Sequence, residues 1–119
     1  MKEVREFDLH GHTRFSRIPE GVNHSPQEVI DRASEVGLAG IAITGHDTLE
    51  GIEEALNYGA RKDLIVIPGV EITSRDQWST PHILALGINP DLISRRQTRM
   101  PTLQPIDRII AWTHDLEGV

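Results

Sequence analysis

The 119-residue sequence contains no cysteine, and only 4% of its residues are aromatic. Without cysteine the chain can form neither a disulfide framework nor a thiolate metal site, which leaves His, Asp and Glu as metal ligands. No apolar run approaches the roughly 20 residues that span a bilayer, and the charged segment 1–6 lacks a signal-peptide core. We therefore expect a soluble cytoplasmic protein without a membrane partner.

Basic residues are outnumbered by acidic ones, 12 against 18, which gives a formal net charge of −6. This charge repels a phosphate backbone at long range, so nucleic acid is a disfavoured partner. Any phosphorylated substrate would need locally placed cations. The length suits one domain with a modest core, over residues 1–119.

Hydrophobic periodicity and turn residues predict alternating strands and helices. A capping box from Ser25 to Glu28, with proline at the first helical position, marks the start of the first helix. The order of elements is typical of a parallel sheet covered by helices. Strands are predicted at residues 4–10, 41–43, 64–67 with an extension through 70–73, and 82–86; helices at 26–36, 49–58 with Gly59 ending it, and 106–116; and a polar, proline-broken loop at 89–105.

Potential metal ligands recur at the ends of these strands. His10 and His12 lie two positions apart at the end of the first strand, so in extended backbone both imidazoles project to one side and can bind one cation. His46 ends the second strand, Glu71 follows the third and His82 opens the fourth. Strand ends are where parallel α/β folds collect ligands. The alternative is that His10 and His46 are core histidines with satisfied hydrogen bonds and that Glu71 is a solvated carboxylate.

Four segments carry these residues: Asp8-Leu9-His10-Gly11-His12-Thr13, Ile43-Thr44-Gly45-His46-Asp47-Thr48, Pro68-Gly69-Val70-Glu71-Ile72-Thr73 and His82-Ile83-Leu84-Ala85-Leu86-Gly87. Together they resemble the first motifs of the polymerase and histidinol phosphatase (PHP) superfamily, in the family's order. The resemblance implies an α/β fold, namely the first half of a distorted seven-stranded β/α (TIM-like) barrel with parallel strands and helices outside. It also implies two or three divalent ions (Zn, Mn or Fe) and hydrolysis of phosphoesters, with a small phosphorylated metabolite or short nucleotide as substrate.

The resemblance also implies roles for individual residues. Glu71 becomes a carboxylate that bridges two ions, and Glu71, His46 and Asp47 are the candidates for direct roles in catalysis. No covalent nucleophile is required, because metal-assisted hydrolysis uses water. The implied metal ligands are His10, His12, His46, Glu71 and His82.

The sequence departs from the family pattern at several points. The family usually has Asp where this chain has Gly45, so a proton-handling carboxylate is missing and Asp47 is its partial substitute. The acidic residue usually found shortly after the paired histidines has only Glu20 as a candidate. The later ligand motifs of the family do not occur before Val119. The domain over residues 1–119 is therefore predicted to be truncated, with half-barrels that associate or a second half that is absent or encoded separately.

Three alternatives stay open at this point. Arg95, Arg96 and Arg99 are candidates for contacting a substrate phosphate, because guanidinium groups match its oxygens, but a solvated loop explains them as well. A 3′-to-5′ exonuclease is the second enzyme hypothesis, although the acidic net charge disfavours it. A non-catalytic or degenerate module that keeps the fold is the third, and Gly45 and the missing later ligands favour it.

Overall fold

The computed structural model describes residues 3–17 and 22–119, which form a mixed α/β arrangement. The strands are β1 (Phe7–Gly11), β2 (Gly40–Ile43), β3 (Ile65–Thr73) and β4 (His82–Leu86). The helices are α1 (Pro26–Glu35), α2 (Ile52–Arg61), α3 (Pro90–Arg96) and α4 (Ile106–Asp115). Every predicted strand and helix has a counterpart among them, and α3 is additional.

The strands form one sheet in the order β1-β2-β3-β4. The pairs β1–β2 and β2–β3 are parallel, as predicted, but β3 and β4 are antiparallel. The prediction of a parallel fourth strand is therefore wrong, because the connection 74–81 is too short for the crossover of a dozen or more residues that parallel strands need. The antiparallel register places His82, the first residue of β4, opposite Thr73, the last residue of β3.

Two helix boundaries follow from local capping. Ser25 caps α1 as predicted, since its hydroxyl accepts a hydrogen bond from the Glu28 amide at 3.1 Å. The helix α3 lies inside the predicted loop, where Asn89 accepts a hydrogen bond from the Asp91 amide at 3.1 Å and Pro90 occupies the first helical position. The residues of this cap were visible in the sequence, so α3 could have been predicted where we expected a loop.

No helix in the part of the chain that the structure describes is long and apolar enough to cross a bilayer.

The helix α2 differs from its prediction at both ends. It begins at Ile52 and runs to Arg61, so Gly59 lies within the helix and does not end it. The tertiary reason is close packing, because a Cβ atom at Gly59 would lie 2.3 Å from Cγ2 of Val66 on β3. Gly59 therefore allows α2 to approach the sheet.

Two hydrophobic clusters hold the helices on the sheet. The first packs α1 and α2 against β2, and the second packs α4 against β3 and β4. Because Val70 and Ile72 are fully buried in the second cluster, the intervening Glu71 points to the opposite face of β3, as alternation predicts. The buried members are Ile30, Ala33, Ile41, Ile43, Ile52, Ala55 and Leu64 in the first cluster and Val70, Ile72, Ala85, Ile88, Ile109, Trp112 and Leu116 in the second.

The segment after α4 joins the sheet on the outer side of β4. The Val119 amide donates to the Leu86 carbonyl at 2.8 Å, and the Leu86 amide donates to the Val119 carbonyl at 2.7 Å. An exchange of both bonds between two residues is the pattern of an antiparallel pair. Val119 therefore pairs with Leu86 on the side of β4 that faces away from β3.

We expect Gly59→Ala to destabilise the chain by about 1–3 kcal/mol, because the added methyl group overpacks the contact with Val66. In a helix interior, replacing glycine with alanine normally stabilises the helix by about 1 kcal/mol, so the expected effect has the opposite sign. Urea denaturation measures the change. In a Val66→Ala background the clashing Cγ2 atom is gone, so the cost of Gly59→Ala should fall; a stabilising Gly59→Ala in the unaltered background would contradict the packing explanation.

Candidate metal centre

Glu71 and His46 are brought together by the backbone at the carboxyl ends of β2 and β3. Beyond the end of β2, His46 forms an isolated parallel bridge with Glu71. The Glu71 amide donates to the Gly45 carbonyl at 3.1 Å, and the Asp47 amide donates to the Glu71 carbonyl at 2.9 Å. These bonds fix the buried His46 side chain beside the Glu71 carboxylate.

The Glu71 carboxylate lies at the centre of four imidazole rings. Its Oε2 atom lies 2.7 Å from His10 Nε2, 3.0 Å from His12 Nε2 and 3.2 Å from His46 Nε2. Its Oε1 atom lies 3.2 Å from His82 Nδ1. The structure thus brings together all five residues implied as ligands, and we call them the histidine–glutamate cluster.

The antiparallel orientation of β4 is essential to this arrangement. In a parallel fourth strand, His82 would stand at the opposite edge of the sheet from Glu71. In the antiparallel pair, His82 lies opposite Thr73, and Thr73 shares a face of β3 with Glu71. His82 therefore joins the cluster as the sequence led us to expect, although the strand that delivers it runs in the opposite direction.

The cluster is more buried on the β2–β3 side than at its rim. The side chain of His46 is 2% exposed and that of Glu71 is 7% exposed, whereas His10 and His82 are 48% and 37% exposed. Burial acts to raise the pKa of Glu71, but the hydrogen bond with His10 and the charges of His46, His10 and His12 outweigh it and lower this pKa below its ordinary value. Glu71 is therefore an anion at neutral pH.

The cluster divides into two sets of possible ligand atoms that share Glu71. The first ligand group is His10, His12 and Glu71, and the second is His46, Glu71 and His82. Within each group the ligand atoms lie within 4.8 Å of one another. Each group thus offers two imidazole nitrogens and a carboxylate oxygen.

These donors fit divalent metal ions of the first transition row. Imidazole suits zinc and iron better than calcium, and an anionic carboxylate also suits manganese and balances part of the charge of the ion. Two histidines and one glutamate are also the ligand set of several catalytic zinc sites, which keep a further position for water or substrate. A shared carboxylate is the means by which two such ions can be held side by side.

The Asp47 carboxylate bonds to the end of β3 and to Thr102, and its predicted role in catalysis stays a prediction. Its Oδ1 atom accepts from the Thr73 amide at 2.8 Å and from the Thr102 hydroxyl at 3.3 Å, and its Oδ2 atom accepts from the Thr73 hydroxyl at 2.7 Å. Its backbone φ of 50° is left-handed, a conformation that Asp and Asn tolerate better than most residues. The carboxylate therefore fastens the end of β3, two residues beyond Glu71, to the segment that contains Thr102.

Gly45 stands where the family usually has a carboxylate, and the space there is narrow. A Cβ atom at this position would lie 3.1 Å from Thr48 Cγ2 and 3.8 Å from the Ser16 backbone. The Ser16 hydroxyl reaches the same region and contacts both His12 and the His46 amide. Ser16 was missed by the sequence analysis, because a serine in an irregular segment gives no signal before its neighbours in space are known.

The three arginines predicted as phosphate contacts are not joined to the cluster. Arg95 and Arg96 lie in the last turn of α3, which follows the end of β4 farthest from His82. The Arg96 side chain donates to the Asp115 carbonyl at 2.9 Å, and Arg99 lines a separate cavity beside α4. Their positions give no support to a phosphate-binding role. Glu20 lies outside the described residues.

Curated relatives share much of this chain. A 3′,5′-nucleoside bisphosphate phosphatase from Chromobacterium violaceum is 41% identical over 87 residues, which are 73% of this chain and 29% of the relative. A 5′-3′ exoribonuclease from Haemophilus influenzae is 33% identical over 97 residues, or 82% of this chain and 33% of the relative. The chain thus spans about a third of the length of these relatives.

A solved structure from Bifidobacterium adolescentis, classed with the metal-dependent phosphoesterases, superposes with a TM-score of 0.65 at 28% identity. The match covers 92% of this chain and 40% of that protein, which confirms that the curled four-stranded sheet is the first half of a TIM-like barrel. The family model of the PHP domain matches residues 8–114, which include the whole histidine–glutamate cluster. The chain therefore belongs to the PHP domain family.

Proposed function

We propose that this chain supplies a metal centre that holds two divalent ions for the hydrolysis of phosphoesters. The observation that carries the proposal is the sharing of one anionic carboxylate, Glu71, between two pairs of histidines. Bound ions of this kind would supply Lewis-acid activation of water and neutralisation of phosphate charge. A third ion would need ligands beyond these two groups.

The protein groups hold and orient the reacting species. His46 and Glu71 form the buried floor, fixed by their backbone bridge, so their ligand atoms are preorganised before an ion arrives. His10 and His82 form the exposed rim. We propose that the phosphate of the substrate approaches from this rim, because the opposite side of Glu71 is closed by the sheet.

A small phosphorylated metabolite or short nucleotide is the substrate class that we propose. A bisphosphate phosphatase among the relatives supports a small substrate, and the net charge of −6 disfavours long nucleic acids. The exoribonuclease among the relatives supports the second candidate, a nuclease, although its name gives the 5′-to-3′ direction and the predicted exonuclease was 3′-to-5′. The absence of cysteine suits a reducing cytoplasm, which we propose as the location.

Rates on three substrates separate these candidates. A phosphatase of small molecules should hydrolyse a 3′,5′-bisphosphonucleoside faster than a short oligoribonucleotide, while a nuclease should show the reverse order. p-Nitrophenyl phosphate reports unspecific phosphoesterase activity. A chain that binds no metal and cleaves none of the three would favour the non-catalytic module.

We expect the two ligand groups to lose their ions separately. The unaltered chain should contain about two ions, His12→Ala should lose the ion of the first group, and His82→Ala should lose the ion of the second. Elemental analysis after purification without chelator measures the content. His114→Ala is the matched control, because His114 is exposed on α4 and outside both groups. An unchanged metal content in both cluster variants would contradict the assignment.

A further inference from the structure

The turn after β1 is attached to His46 at two points. Within the turn, the Ser16 amide donates to the Thr13 carbonyl at 3.0 Å. The Arg17 amide then donates to the His46 carbonyl at 3.3 Å, and the Ser16 hydroxyl oxygen accepts from the His46 amide at 3.0 Å. Both backbone polar groups of His46 are therefore bound by consecutive residues of this turn.

The same hydroxyl also reaches the first ligand group. Ser16 Oγ lies 3.3 Å from Nδ1 of His12, on the far side of the ring from the Nε2 atom that faces Glu71. Ser16 thus touches a side chain of the first ligand group and the backbone of the second. Among the hydrogen bonds of the described residues, this is a direct polar link between the two groups that does not pass through Glu71.

When an ion is bound to His12, the chemistry of imidazole determines which atom of the His12–Ser16 contact donates the hydrogen bond. A neutral histidine that ligates through Nε2 carries its proton on Nδ1, and that N–H needs an acceptor that holds the ring in orientation. Ser16 Oγ has two lone pairs, so it can accept from the His46 amide and from His12 Nδ1 at once. Its own proton remains available for a further acceptor.

We propose that Ser16 is a positioning residue that selects the ligating tautomer of His12 and couples the orientation of the two ligand groups. The inference rests on the proposed metal centre and deepens it. Ser16 touches no reacting atom. It acts through His12, whose Nε2 atom it directs toward Glu71, and through His46, whose backbone it anchors.

The test uses zinc, which is diamagnetic, and compares the unaltered chain with Ser16→Ala and Ser16→Thr. Zinc affinity is measured by competition with a chromogenic chelator, and nitrogen-15 NMR of the zinc-loaded chain reports the His12 tautomer. We expect Ser16→Ala to bind zinc about 10–100-fold more weakly, as outer partners of metal-bound histidines typically cost, and Ser16→Thr to restore affinity. Ser34→Ala, at an exposed position of α1, is the control and should match the unaltered chain.

The outcomes separate this inference from the proposed function. A chain that binds no zinc would remove the metal centre itself. Zinc binding of ordinary strength in Ser16→Ala would overturn the role of Ser16 alone. Should Ser16→Ala unfold, the unaltered zinc-loaded chain still decides, because a His12 ring that carries its proton on Nε2, or an Nδ1 proton that exchanges freely with water, would overturn the inference.

Discussion

Replacing Glu71 with glutamine is expected to abolish metal binding at both ligand groups and hydrolysis with it. The carboxylate is common to the two groups, and glutamine offers only one neutral oxygen and an amide nitrogen that cannot ligate a cation. Outer partners of metal ligands are worth about 10–100-fold in affinity or activity, so removal of the shared ligand should cost about 100-fold or more. Elemental analysis and phosphoester hydrolysis measure the two effects.

The matched control for this substitution is Glu53→Gln. Glu53 is exposed in the first turn of α2, so the same chemical change there should leave metal content and hydrolysis unchanged. A Glu71→Gln chain that retained two ions would contradict the bridging role. The stabilities of the Glu71→Gln chain and the unaltered chain must be compared at neutral pH. Because folding lowers the pKa of Glu71, its ionised form stabilises the fold at any pH above the ordinary pKa of a glutamate. That contribution is lost as the pH falls through the folded-state pKa.

Asp47→Ala is expected to cause the second large effect, a loss of about 2–4 kcal/mol of stability. A hydrogen bond to a charged group is worth about 1.5–3 kcal/mol, and the bonds from Thr73 and Thr102 share one half-buried carboxylate, so their contributions do not add bond by bond. Alanine also tolerates the left-handed backbone at this position poorly. Chemical denaturation of the metal-free chain measures the loss.

Asp47→Asn distinguishes this structural role from the predicted catalytic one. Asparagine tolerates the left-handed conformation and keeps one acceptor oxygen, so it should cost less stability than alanine. If Asp47 only positions the end of β3, the folded Asp47→Asn chain should keep most of its metal affinity and hydrolysis. A hydrolysis rate reduced by about 100-fold, with folding and metal content intact, would instead restore a direct role in catalysis.

Several members of the histidine–glutamate cluster could be selected from the sequence because the direction of their side chains depends on local backbone geometry. His10 and His12 share a side of an extended strand, and Glu71 alternates with the buried Val70 and Ile72, whatever the rest of the chain does. The N-terminal caps of α1 and α3 also depend on local sequence, although only the cap of α1 was used to predict a helix. Residue type and spacing were therefore sufficient to select the members of the histidine–glutamate cluster, while their role as metal ligands remains a prediction.

The features that sequence reasoning missed depend on contacts between distant parts of the chain. Gly59 is a typical helix end in sequence, but Val66 makes it a packing position within α2. Asp47 follows a ligand and looked catalytic, yet the path of the chain brings Thr102 to its carboxylate. A residue acquires such a role from its neighbours in space, which local patterns do not specify.

The amino-acid sequence by itself determined the family, most of the strand and helix segments and the residue types of the candidate centre, because these depend on short-range periodicity and motif order. Only the tertiary structure decided that Glu71 touches the four histidines of the cluster and that Ser16 spans the two ligand groups. The physical reason is that hydrogen bonds and packing at the end of the sheet join residues up to tens of positions apart. Their geometry exists only once the strands have paired.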